Sequence, residues 1–262
     1  MTNVVITGSA RGIGLAMAAE FLRSGCHVTL SGRGETLAPE AAHALSSHKD
    51  QFIYIPCDVQ IMDNLKNLWD ASRTKWGTVD IWINNAGRST AYNAVWETEE
   101  DCTRKVIGTN LLGTVFGSQI AAAEMIRQGH GAIYAMEGMG SNNMIQPKTI
   151  LYGTTKHALT YFMKGLAKEL EGTNVIVGRL SPGMMLTDFI TKTPDGEPSD
   201  VIRDNKFKRV FNTLADRPET VARFFIPRIL ENSKNNAQIV WLTPWKAARR
   251  FMSMGMRRGK LL

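Results

Sequence analysis

Val4-Val5-Ile6-Thr7-Gly8-Ser9-Ala10-Arg11-Gly12-Ile13-Gly14 begins with a short apolar run, passes through three glycines and leads into an apolar-periodic stretch from about Leu15 to Ser24, closed by Gly25. The run reads as a buried strand and the periodic stretch as a helix. Between them, Gly8, Gly12 and Gly14 allow close backbone approach, and N–H groups at a helix start face an anion. With Ser9, Arg11 and Ile13 completing the loop, the segment is a candidate pyrophosphate site for a dinucleotide.

The same alternation continues downstream. Cys26 to Leu30 reads as a second strand, 36–48 as a helix, Phe52 to Cys57 as a third strand, and the stretch up to about Trp76 as a helix. Val79 to Ile83 makes a fourth strand, ending in Asn84-Asn85-Ala86-Gly87. Such a pattern predicts a parallel sheet with helices on both faces, and ligands at the carboxyl ends of its strands. Gly8, Asp58-Val59 and Asn85 all lie at such ends. Asp58 has two readings, a contact to an adenine amino group or the N-cap of the next helix. After the second strand the chain supplies Ser31 and Arg33, with Arg11 nearby, where an acid would hold the ribose of NAD. Cations suit a 2′-phosphate, so the expected cofactor is NADPH.

Further on, 98–128 reads as one long helix carrying Asn110, and Gly131 to Met136 as a fifth strand. Tyr152-Gly153-Thr154-Thr155-Lys156 then opens a helix running to about Glu171. Tyr152 and Lys156 stand one turn apart on one face, and a cation beside a phenol favours the phenolate. Met184, Met185, Leu186 and Phe189-Ile190 follow Pro182-Gly183, while Met139, Met144 and Ile145 precede the Tyr152 helix. Together they suggest an adaptable apolar wall, with a polar lid over about 184–216. Arg217-Pro218-Glu219 starts another helix that Pro227 should kink or end, and Ala237 to Leu242 is the last strand.

Composition narrows the class. With 262 residues, 44% apolar and 21% charged, the chain is an ordinary globular one with room for a sizeable core. Cys26, Cys57 and Cys102 leave an odd thiol and no metal-type spacing, which suits a reducing compartment. No run has the length and apolarity of a membrane span, and no signal or transit segment is read at the start. The net charge of +7 is concentrated in 244–262, where Lys246, Arg249, Arg250, Arg257, Arg258 and Lys260 meet no acid. The remainder is close to neutral, which argues against a nucleic-acid surface. Trp245, Phe251, Met252, Met254 and Met256 interleave with those cations, a composition that suits either an anionic membrane surface or packing on a sister subunit.

Thr7-Gly8-x3-Gly12-Ile13-Gly14, Asp58-Val59, Asn84-Asn85-Ala86-Gly87, Asn110, Tyr152-x3-Lys156 and Pro182-Gly183-x3-Thr187 together resemble the short-chain dehydrogenase/reductase family in order and spacing. That resemblance implies an α/β, Rossmann-like three-layer sandwich with a seven-stranded parallel sheet in a single catalytic domain over 1–243. It also implies hydride transfer from a nicotinamide bound near Asn85, Ala86, Gly87, Pro182, Gly183 and Thr187. Tyr152 is the implied proton donor, Lys156 its partner, and Asn110 the holder of a relay water. One family residue is absent. The serine about thirteen positions before the tyrosine falls on Gly138 or Met139, leaving Ser141, backbone N–H groups or a protonated Glu137 as substitutes.

Met136-Glu137-Gly138-Met139-Gly140-Ser141, Arg217-Pro218-Glu219-x2-Ala222-Arg223-Phe224 and Leu242-Thr243-Pro244-Trp245-Lys246-Ala247 resemble the chlorophyll(ide) b reductase branch of that family. That branch implies reduction of a 7-formyl group with NADPH on a large apolar pigment. A homo-oligomer and a cytoplasmic or stromal setting are expected, with the basic tail, by its composition, suited to a peripheral membrane contact or to an acidic partner. Reduction of another aldehyde or ketone, and a catalytically weak NADP-binding scaffold, are the competing expectations. Arg33→Ala is expected to weaken NADPH binding far more than NADH binding in fluorescence titrations; equal losses would remove Arg33 from the 2′-phosphate.

Overall fold

The computed structural model describes residues 1–90, 92–193, 196–253 and 261. Seven parallel strands form one sheet in the order β3-β2-β1-β4-β5-β6-β7. These are β1 (Asn3–Ile6), β2 (His27–Gly32), β3 (Phe52–Pro56), β4 (Ile81–Asn84), β5 (Gly131–Met136), β6 (Val175–Ser181) and β7 (Ala237–Val240). The order reverses between β1 and β4, so their carboxyl ends flank the crevice where doubly wound sheets take ligands.

Alternation of side chains along the strands sends neighbours to opposite layers. Val4 and Ile6 enter one core with Met17, Phe21, Phe225 and Ile229, supplied by α1 (Gly12–Arg23) and α9 (Pro218–Leu230). Val5 enters the other with Leu65, Trp69, Trp82, Met125 and Met163. That layer is built by α3 (Met62–Trp76), α5 (Gly113–Gln128) and α6 (Ile150–Glu169). The three-layer sandwich expected from the resemblance is therefore present. The short α2 (Pro39–Ala44) lies between β2 and β3.

Several local expectations are revised. The helix expected over 98–128 is α4 (Glu100–Ile107), a π-helical turn at Gly108–Leu112, and α5. This stretch, Glu100–Gln128, is long and apolar enough to cross a membrane, but half of its apolar window is buried within the domain. Pro227 neither ends nor stops α9, which runs on to Leu230. It stands in the last turn and a half, and Phe225, Ile226 and Ile229 around it are buried in the core.

Glu137, just past β5, is buried and acts as a structural hub. Its carboxylate accepts from Thr160 Oγ1 at 3.2 Å, Gln238 Nε2 at 2.7 Å and the Ser181 hydroxyl, and pairs with buried Arg179 at 3.4 Å. It therefore ties β6, β7 and α6 together, and its two oxygens are occupied rather than turned to a substrate. Removing it would leave Arg179 buried and unpaired, a loss of about 3–5 kcal/mol.

The lid is a folded excursion. Met184 and Leu186 pair with Asp216 by backbone bonds of 3.1 Å each, closing its two ends. Between them lie α7 (Asp188–Thr191) and α8 (Asn205–Leu214). The tail is not a separate arm, because Pro244–Met252 forms α10 and packs against α8. Pro194 in the lid, and Met254, Met256, Arg257, Arg258 and Lys260 in the tail, lie outside the described residues.

Candidate active site

The glycine loop is held open for a ligand by its neighbours. Gly8 has φ +61°, and a Cβ there would sit 2.7 Å from the Ala86 Cα. A Cβ on Gly14 would meet Asn85 Nδ2 at 2.6 Å and the Gly8 carbonyl at 2.7 Å. Only glycine fits both places. Asn85 Nδ2 donates to the Thr7 and Gly8 carbonyls at 2.9 Å each, and the Thr7 hydroxyl accepts from the Asn85 and Ala86 N–H groups. Asn85 Oδ1 is buried without a donor. No side chain caps the start of α1, at Arg11. An uncapped helix start beside a glycine cradle and a buried orphan acceptor fits a dinucleotide.

The hydroxyls of this region have structural partners. Ser9 is buried; its Oγ donates to the Ile6 carbonyl at 2.8 Å and accepts from Ser31 N at 2.9 Å. Ser31 is buried too, and its hydroxyl turns to the same Ile6 carbonyl at 3.4 Å. The expectation that Ser31 offers a hydroxyl to the cofactor is thus replaced by one in which it packs β2 onto β1. Arg33 and Arg11 are the exposed cations here. Asp58 does not cap α3, which starts at Met62; its Oδ1 accepts from Gln60 N at 3.0 Å in a tight turn. Val59 is buried against Gly113. Thr187 stands 3.7 Å from where a Gly12 Cβ would be, which brings the lid's start to the glycine loop. Pro182 is buried, and Gly183 turns with φ +72° against Leu242.

Asn110 occupies the π turn, a geometry that recurs at functional sites. It is buried, accepts from Arg88 N at 2.7 Å, and donates to the Arg88 carbonyl at 3.0 Å and to Thr155 Oγ1 at 3.1 Å. Its amide therefore fixes the Gly87–Arg88 turn on α6, the helix that carries Tyr152 and Lys156. Among the described residues the Tyr152 hydroxyl makes no hydrogen bond, and its ring meets Phe189 edge-on at 5.3 Å. Phe189 also lies 3.9 Å from a Cβ built on Gly87. The lid therefore covers the tyrosine where the Gly87 turn approaches it.

Lys156 does not touch the phenol. Its Nζ donates to the Met136 carbonyl at 2.7 Å and lies 5.9 Å from the Tyr152 ring centre. Burial pushes Lys156 down to about 8, with Glu137 pulling the other way. Burial also pushes the Tyr152 phenol above its ordinary value. Without a ligand, desolvation outweighs the cation effect expected from the spacing.

Gly138 is the residue that meets the tyrosine. A Cβ on it would overlap the Tyr152 hydroxyl, and would lie 3.1 Å from Tyr152 Cζ and 3.2 Å from Lys156 Cγ. Ser141, the nearest hydroxyl in sequence, accepts from Gly138 N and donates to the Lys156 carbonyl, both at 3.2 Å. It anchors the 138–141 turn to α6 instead of replacing the missing serine. Residue spacing could not reveal this, because the bond depends on how the turn folds back. The methionine wall also divides. Met139, Met144 and Ile145 line a cleft of about 520 Å³ with Gly153, Thr154 and His157, on a face of α6 turned away from Tyr152.

The comparisons agree with this architecture. Residues 2–198 match the short chain dehydrogenase family. The chain belongs to that family. It is 34% identical over 277 residues to the probable chlorophyll(ide) b reductase NYC1, chloroplastic, of Arabidopsis thaliana, covering 98% of this chain and 54% of that protein. It is 35% identical over 272 residues to the chlorophyll(ide) b reductase NOL, chloroplastic, of Oryza sativa subsp. japonica, covering 98% and 77%. The chain thus spans about half the length of NYC1. Among solved structures, ElxO with NADP bound superposes with TM-score 0.80 at 25% identity, covering 94% of this chain and 99% of that one.

Two outcomes test the site. Gly138→Ser, although it puts a serine into one of the two candidate slots, should lower kcat by about 10²-fold, because the hydroxyl of Tyr152 must move; a rate equal to or above wild type would refute the overlap. Lys156 is charged in both states below about 8, so its burial penalty is fully felt there. Between about 8 and 10.5 the folded lysine releases its proton first, and stability rises with pH. Thermal melts of Lys156→Met should lack that rise across the same window.

Proposed function

We propose that this chain is an NADPH-dependent reductase of the 7-formyl group of chlorophyll b or chlorophyllide b, yielding the 7-hydroxymethyl pigment. The observation that carries the reading is the extent of the likeness. The short chain dehydrogenase match ends at residue 198, and a staphylococcal oxidoreductase aligns with 75% of the chain, whereas the chlorophyll(ide) b reductases align with 98% of it. The alignment therefore takes in the rest of the lid, Asp216 and the tail helix, which the family model does not reach.

The residues that would hold the cofactor are the Gly8–Gly14 loop and the start of α1 for the pyrophosphate, with Arg11 and Arg33 for a 2′-phosphate. Asp58 serves the adenine side, and Asn85, Ala86, Gly87, Pro182, Gly183 and Thr187 serve the nicotinamide side. When bound, NADPH supplies the hydride for the formyl carbon. Tyr152 gives its proton to the developing alkoxide, from a hydroxyl with no competing partner among the described residues. Lys156, held at the end of β5, supplies positive charge beside it, and Asn110 keeps the Gly87–Arg88 turn and Thr155 in register with it. Phe189 shields the phenol ring from water.

The glycine at 138 favours one further reading, an NADP-binding scaffold with weak catalysis. NADPH oxidation with chlorophyllide b, products separated by chromatography, decides between them. The 7-hydroxymethyl pigment is the expected product, and Tyr152→Phe should abolish its formation while sparing NADPH binding. Turnover of other aldehydes or ketones alone would sink the pigment assignment, and tight NADPH binding without turnover of any carbonyl would favour the scaffold.

A further inference from the structure

Helix α10 has its polarity reversed. Arg250 is its buried residue, 7% exposed, while Trp245 and Met252 are 74% and 75% exposed. The inward turn of Arg250 has a clear cause. Its Nη1 donates to the Leu214 carbonyl at 2.7 Å, and the guanidinium pairs with Asp216 at 2.7 and 3.1 Å. Trp241 Nε1 donates to the same carboxylate at 2.7 Å. This clasp fixes the rotation of α10, so Trp245 and Met252 are held outward rather than left outward by chance. Seven residues apart, they share one face two turns long, and exposed Arg249 stands between them.

Cations dominate the surroundings, with exposed Asp204, which caps α8, the acid at their edge. Neither α10 nor α8, which packs against it, contains an acid. Lys206, Arg209 and Val210 are exposed on α8. Leu261 N donates to Asn212 Oδ1 on α8 at 2.6 Å. A protein partner is ordinarily met by charges of both signs, whereas an aromatic and a thioether side chain among cations match the headgroup–acyl boundary of an acidic bilayer.

We infer that the outward face of α10, with α8 beside it, docks on an anionic lipid surface. Trp245 and Met252 enter the acyl boundary, and Lys206, Arg209 and Arg249 face lipid phosphates. Because α8 belongs to the lid, docking sets the lid at the membrane, where an apolar pigment would be taken up. The surface itself does not depend on which carbonyl Tyr152 serves.

Co-sedimentation with vesicles tests the inference in the full chain. Vesicles of phosphatidylcholine mixed with phosphatidylglycerol should bind the protein, neutral phosphatidylcholine vesicles should bind it far less, and added salt should release it. Trp245→Ser with Met252→Ser should weaken binding by about ten-fold or more while leaving NADPH affinity unchanged, which certifies the fold. Equal binding of the double variant and wild type would overturn the inference, as would equal binding to neutral and acidic vesicles. Loss of a dimer by the double variant in gel filtration, with no vesicle binding by either protein, would make the face a subunit contact instead.

Discussion

The site depends first on a single amide. Asn85 Nδ2 donates to two consecutive carbonyls, those of Thr7 and Gly8, across the point where strand order reverses. Those carbonyls belong to a turn that has left β1 and not yet entered α1, so the sheet does not satisfy them. Without Asn85 they would face the interior unpaired, at a cost of about 1–3 kcal/mol each. The glycines at 8 and 14 exist in this context, because the amide and the Ala86 backbone come too close for any Cβ. The phosphate cradle is thus shaped by β4 as much as by its own loop.

From there a polar chain runs to the tyrosine helix. Thr7 holds the Asn85–Ala86 backbone, Asn110 holds the Arg88 backbone, and Asn110 reaches Thr155 beside Lys156. The first two links join a side chain to backbone just past β4, and the last joins two side chains, Asn110 in the π turn and Thr155 on α6. Together they tie the turn after β4 to the helix that carries the tyrosine. The π turn is part of the device, since it sets Asn110 within the continuous 100–128 helix at a point where it can reach both the turn and α6.

The fold was largely legible because it rests on periodicity and punctuation. Strand alternation, glycine at turns and the Asn84–Gly87 block all have local causes. The site was legible only as to which residues take part. Ser31 and Ser141 read as ligand hydroxyls in sequence, yet each finds a backbone partner once the strands and turns are stacked. Asp58 likewise closes a turn. Pro227 does not end α9, which runs on through buried neighbours to Leu230. The tail read as a basic segment for a membrane or subunit contact, and only packing shows Arg250 drawn inward by Asp216. Small polar residues satisfy whatever is nearest, and what is nearest is a tertiary fact.

The electrostatics of the tyrosine bear on the direction of its chemistry. Burial raises the phenol and lowers the lysine, so both neutral forms gain over their charged ones. A protonated tyrosine is of no use to a reaction that must remove a proton from an alcohol. It is the right form for one that delivers a proton to an alkoxide, which is a far stronger base than a phenolate. Transfer from a phenol of raised pKa to an alkoxide remains downhill, so the penalty on the phenolate costs the reductive direction little. Alcohol oxidation would need the charged lysine moved toward the phenol, against its bond to the Met136 carbonyl. Around Gly138, where a Cβ would overlap the hydroxyl and no acceptor stands beside it among the described residues, the phenol is held in its protonated form, the form that delivers a proton to an alkoxide.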